Sequence, residues 1–116
     1  MLLCNVMTDN KQIEKLKQDI YSEDWKIRWD AMLQLSSVDG DDIFNFFVSL
    51  LDSNNANTRN IGANGLMHME DNRALQPLLK AIFKPENNKN VASLVSALHF
   101  IDCRHILKEL DRKSVV

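Results

Sequence analysis

His99 and Cys103 are four residues apart, a spacing that would place an imidazole and a thiol on one face of a continuous helix, where they could share a soft metal ion. Asp102 lies between them in an expected turn, Ile101-Asp102, and neither His68 nor His105 completes a second pair, so no metal site is expected. Asp41 and Asp42 are adjacent carboxylates. Followed by the apolar run that starts at Ile43, they read as caps of a helix N-terminus rather than an acid–base pair. No Gly-rich phosphate loop, nucleophile elbow or His-Glu-x-x-His pattern occurs. The chain therefore reads as non-enzymatic, with no catalytic residue and no cofactor.

The chain has 116 residues, 45% apolar and 26% charged, a globular composition long enough for one domain with its own core. Three glycines and two prolines disfavour a sheet full of tight turns and favour helices with short connections. The net charge of −2 does not suggest a nucleic-acid surface. It is unevenly spread. Residues 1–58 carry five Lys/Arg against ten Asp/Glu, or −5, and residues 59–116 carry nine against six, or +3. Such polarity suits an oriented protein partner better than a polyanion. Cys4 and Cys103 lack CxxC spacing and read as free thiols in a reducing compartment. The apolar start, Met1 to Met7, is too short for a signal peptide and lacks its basic beginning. No run approaches the roughly 18 apolar residues that span a membrane. A cytoplasmic location is expected, with neither membrane nor nucleic acid as a partner.

The apolar periodicity predicts a helix over 11–21, with Ile13, Leu16, Ile20 and Tyr21 on one face. A capping turn at Ser22-Glu23-Asp24 leads to a second helix over 25–37, with Ile27, Ala31, Leu35 and Val38 inward. Gly40 suits a left-handed helix end. Residues 43–51 are apolar enough for a buried strand, but their length and acidic start favour a buried helix. The helix over 58–69 carries Gly62 and Gly65, each costing about 1 kcal/mol against alanine. Two such residues on one face point to close helix–helix approach. A helix over 72–83 contains Pro77, so it either starts near Leu75 or kinks there. A sixth helix is expected over 89–100 and a short seventh over 104–110.

These elements repeat. At an offset of 31, Arg28 meets Arg59, Ala31 meets Gly62, Leu35 meets Leu66 and Val38 meets Met69; at 32, Leu66 meets Leu98 and Met69 meets Ile101. Ile27-Arg28-Trp29-Asp30-Ala31 through Leu35 and Val38, and Thr58-Arg59-Asn60-Ile61-Gly62 through Leu66 and Met69, resemble the HEAT-repeat family, in particular the short bacterial type described around phycobilin lyases. The third unit, Asn90-Val91-Ala92 through Leu98 and Ile101, lacks the arginine. The resemblance covers about residues 11–110. It implies an all-α fold: a short right-handed α-solenoid of about three HEAT-like helix pairs, forming one domain over 1–116. The repeats would run approximately 11–40, 41–71 and 72–102, with a terminal helix over 103–111. A single pair cannot bury its apolar stripe, whereas three stacked pairs share one core.

The resemblance also implies that Arg28 and Arg59 bond a neighbouring turn. Equivalent turns would align along one edge, giving a ridge from Asp39, Asp41, Asp42, Glu70, Asp71 and Asp102, diluted by Arg73 and Arg104. Helix capping accounts for some of these acids. The second helices of the pairs would line a concave face. Trp25, Trp29 and Leu33 recur every four residues there, flanked by Asp30, with Asn60, Asn64 and Met67 following on the next unit. The tryptophans are either interface anchors on that face or core residues beneath the N-terminal helix. The expected function is a non-catalytic protein-binding module whose concave face and acidic edge grip a partner protein. The specific form is a bacterial immunity or inhibitor protein against a basic toxin such as a nuclease. A scaffold or an auxiliary subunit of a lyase-like enzyme complex is the alternative. A HEAT-like DNA glycosylase is disfavoured by the short chain and its acidic first half.

Overall fold

Short polar side chains begin several of the helices. The Asp9 carboxylate accepts the backbone N–H of Gln12 at 2.8 Å and opens α1 (Asn10–Asp19). Asp24 accepts the N–H of Lys26 at 2.9 Å and opens α2 (Trp25–Ser36). The third helix, α3 (Asp41–Leu50), starts differently. Gly40 precedes it at φ 145°, ψ 148°, a conformation that side-chain-bearing residues avoid, and no side chain caps it. Asp41 and Asp42 are thus not caps as the sequence suggested. They lie in the first turn, where their charge opposes the positive end of the helix dipole. Asn55 accepts the N–H groups of Asn57 and Thr58 and opens α4 (Ala56–Met69). Asp71 opens a 3₁₀ turn, Asn72–Ala74, that leads into α5 (Leu75–Ile82). Pro77 is the third residue of that helix, within the first turn where proline is tolerated. After a second 3₁₀ turn, Pro85–Asn87, the last helix α6 runs from Val91 to Ser114. The computed structural model describes residues 9–38 and 40–114, so the expectations placed on Met1 to Met7, including Cys4, and on Asp39 lie outside it.

The sequence places a break at Ile101-Asp102 and a separate helix over 104–110. Instead α6 is one helix of 24 residues. The earlier helix ends have a cause that is missing here. Gly40 precedes α3 at positive φ, and Glu70 closes α4 in the left-handed region at φ 54°. Cys103, Arg104 and His105 offer no such residue, and the stripe of Leu94, Ala97 and Ile101 keeps helical spacing. A single aspartate does not stop a helix.

Among the described residues the structure is all-helical, with no strand. The helices pack as neighbours in the chain, α1 on α2, α3 on α4 and α5 on α6, and α4 also packs against both α2 and α6. The molecule measures 46 × 44 × 21 Å, so its thin dimension is about two helix diameters. The core between the layers includes Ile20, Met32, Leu35, Phe47, Leu66, Leu78, Leu94 and Ile101, all nearly inaccessible to water. The apolar run 43–51 is thus a buried helix: Ile43, Phe44, Phe47 and Leu50 all face inward.

Two glycines mark a close helix–helix contact. A Cβ on Gly65 would lie 2.4 Å from the Phe47 ring, and one on Gly62 would lie 2.8 Å from the Leu50 Cβ and 2.9 Å from the Phe47 carbonyl oxygen. The helix α4 can sit against α3 only because both positions lack a side chain. Two expected core residues are not in the core. Tyr21 falls in the turn after α1, and Ile27 lies on a flank of α2 that no preceding helix pair covers among the described residues; both are exposed. No helix among the described residues is long and apolar enough to cross a membrane.

Candidate functional site

The polar frame around the helix starts repeats with the sequence. Ser22 Oγ accepts the N–H of Asp24 at 3.1 Å, and Arg28 donates to the carbonyls of Ser22 and Glu23 at 2.9 and 3.0 Å. The same bonds recur 31 residues later. Ser53 Oγ accepts the N–H of Asn55 at 3.1 Å, and Arg59 donates to the carbonyl of Ser53 at 2.8 Å. Arg59 also reaches the Glu86 carbonyl at 3.1 Å and so ties the α3–α4 connection to the α5–α6 connection. It is buried. Both guanidiniums are thus occupied by backbone oxygens, a structural task. Asn90, 31 residues beyond Arg59, takes a different course and donates to Asn60 Oδ1 at 3.2 Å.

Beside this frame α2 presents an aromatic surface. Trp25 is 62% exposed, and Trp29 and Leu33 are each 38% exposed, so the tryptophans are not core residues under α1. Instead α2 buries Ala31, Met32 and Leu35. Trp29 stands edge-on to the His68 ring of α4, with centroids 6.3 Å apart and planes at 84°. The Lys26 ammonium lies 5.9 Å from the Trp25 ring centroid. A cleft of about 280 Å³, which neither tryptophan lines, opens between Tyr21, Ser22, Glu23 and Arg28 on one side and Asn55, Asn57 and Thr58 on the other.

The other residues expected on this face contribute unequally. Asp30 is exposed and accepts a hydrogen bond from Gln34 at 2.8 Å. Asn64 donates to the Asn60 carbonyl within its own helix at 2.9 Å, and the Asn60 side chain is taken by Asn90. Met67 is half-buried and packs on the core. Sequence reasoning missed Tyr21 and His68 as members of this surface. Tyr21 had a signal, since Tyr21, Trp25, Trp29 and Leu33 form one series at intervals of four.

The opposite ends of the helices carry the acids. Arg73 bonds Asp41 at 3.1 Å and Asp71 at 2.6 Å, and its guanidinium lies 4.5 Å from the Phe44 ring centroid. Arg104 bonds Glu70 at 3.0 Å. The hydrogen bond from Arg73 holds the Asp71 carboxyl below the ordinary carboxylate range, against a smaller opposing effect of burial, and the same contacts raise Arg73 further. Asp102 belongs to the middle of α6 and to no turn. The expected acidic ridge is therefore an edge of alternating sign. It is also not continuous with the tryptophans. Eight residues of helical rise, about 12 Å, separate Trp29 from Ser37 at the acidic end of α2.

On α6 the uninterrupted helix brings His99 and Cys103 together. Cys103 Sγ lies 3.5 Å from His99 Nε2 and 3.9 Å from Nδ1. No group of three or more metal-ligating side chains gathers among the described residues. Family models, curated proteins and solved structures contain no match to this chain.

Proposed function

We propose that the chain is a short right-handed stack of HEAT-like helix pairs that captures another protein, without catalysis, through the aromatic surface of α2. Exposed Trp25 and Trp29, together with Leu33 on one side of α2, carry this reading. Large rigid aromatic groups are common anchors of a protein interface, and leaving them in water has no structural return. The stack reading draws support from the serine, cap and arginine bonds that recur 31 residues apart. A narrower form is an inhibitor or immunity protein that covers a basic toxin. Its support is the charge of −5 over residues 1–58, which includes α1 and α2. It no longer draws on the turn edge, where Arg73 and Arg104 offset the acids. A scaffold or auxiliary enzyme subunit would use the same aromatic anchors.

The test is photo-crosslinking from positions 25 and 29 in the native host, followed by affinity measurement with the partner so identified. Trp25→Ala and Trp29→Ala should each weaken binding by roughly 30-fold or more, the scale of an interface hot spot. Asp41→Asn with Asp42→Asn should change it less than threefold. Unchanged affinity in both tryptophan variants would refute the proposed surface.

A further inference from the structure

The face of α6 turned away from the core is patterned. Leu94, Ala97 and Ile101 point inward. On the other side Ala92, Ser96, His99, Cys103, Ile106 and Leu110 follow at intervals of four, three, four, three and four. That spacing is the seam of a helix meant to lie along another helix. Every residue of the seam is exposed except Cys103, which is half-buried, and Ile106 and Leu110 are 48% and 57% exposed.

The centre of the seam carries metal-binding chemistry. In a tetrahedral zinc site, Zn–S is about 2.3 Å and Zn–N about 2.05 Å, which puts the sulfur and nitrogen about 3.6 Å apart. Cys103 Sγ and His99 Nε2 are 3.5 Å apart. The sulfur is also only 3.9 Å from Nδ1, so it lies over the ring face, and the exposed His99 ring has to turn about its own side-chain bond to aim a nitrogen lone pair at an ion held by Cys103. A closed site needs four protein ligands, and no third donor joins the pair among the described residues.

We propose that His99 and Cys103 are half of a zinc site completed by the same two residues of a second copy of this chain. The two α6 helices would run antiparallel about a two-fold axis through residue 101. That register sets His99 against the partner's Cys103, and it also sets Ala92 against the partner's Leu110 and Ser96 against the partner's Ile106. Small residues oppose large ones along the whole seam, which is the complementarity a self-pairing surface requires. In that register residues 102–113 face residues 89–100 of the other copy, a stretch with a single Lys and no Asp, Glu or Arg, so no two blocks of like charge meet. Zinc binds the Cys103 thiolate, and the thiol proton leaves to solvent.

The experiment uses the full chain carrying Cys4→Ser, so that one thiol remains. Chelator-stripped protein is titrated with zinc chloride while its mass is followed by sedimentation. Cobalt(II) is titrated in parallel for its ligand-field spectrum. The expected result is a monomer that becomes a dimer at one zinc per two chains, reversed by EDTA, with a tetrahedral cobalt spectrum containing thiolate charge transfer. His99→Ala and Cys103→Ser should each abolish the zinc-dependent dimer while circular dichroism keeps its helical signal. Leu110→Glu, which leaves both ligands in place, should abolish it too. A dimer that persists in EDTA, zinc binding at one per chain without dimerisation, or no zinc uptake would each overturn the proposal.

Discussion

Gly65 shows how much a single missing atom decides. Alanine there would gain about 1 kcal/mol of helix propensity, yet its Cβ would sit 2.4 Å from the Phe47 ring. The ring is fully buried and has nowhere to move, so Gly65→Ala should destabilise by roughly 1–3 kcal/mol in urea unfolding, and Gly62→Ala by a similar amount. Arg59 makes a second prediction. Its buried guanidinium holds two carbonyls in different connections, and hydrogen bonds to a charged group contribute roughly 1.5–3 kcal/mol. Arg59→Ala should therefore cost at least about 2 kcal/mol, and clearly more than Arg28→Ala, whose site is partly open to water. Asp71 governs a pH effect. Its folded pKa is depressed by Arg73, so its contribution is present above the unfolded value, about 3.9, and is lost as pH falls through the folded pKa. Melting temperatures measured from pH 7 to pH 2 should fall less steeply below about pH 4 in Asp71→Asn than in the parent.

Elements were legible in the sequence where a local signal fixed them. Asp24 announces α2, and the structure starts that helix at the next residue, whereas α4, expected from residue 58, starts two residues earlier at Ala56, after the Asn55 cap. Pro77 announces the late start of α5, which begins at Leu75. The continuity of α6 was not legible, because the repeat pattern imported a turn from units that end in Gly40 or Glu70. The distinction is measurable. Asp102→Pro would be tolerated in a turn but should cost about 3 kcal/mol or more in the middle of α6, with loss of helical signal. Within the candidate site, the spacing of Trp25, Trp29 and Leu33 placed them correctly on one side of α2. The neutralised edge could not be read the same way, because Arg73 and Asp41 are 32 residues apart and meet only once α3 and α5 are in place. The exposure of Ile27 likewise depends on which elements pack beside α2, and no local pattern contains that information.

At the scale of the molecule, α4 is the common neighbour of α2, α3 and α6, and the helices at the two ends touch fewer others. That arrangement sets an order of opening. Amide hydrogen exchange should be slowest from Ile61 to Leu66, which cannot be freed without disrupting three helices, and fastest in the last turns of α6, where the side chains of Ile106, Leu107 and Leu110 bury little. Because most neighbouring contacts join adjacent helices in the chain, refolding should be fast, on the millisecond scale or below. The two surfaces proposed for binding, on α2 and on the outer face of α6, lie on the two helices that pack against α4 from either end of the row. A bound molecule at either one would slow exchange at its own end of the row and leave the rate at Ile61 to be set by the molecule as a whole. Occupancy of each surface would then be written separately in time.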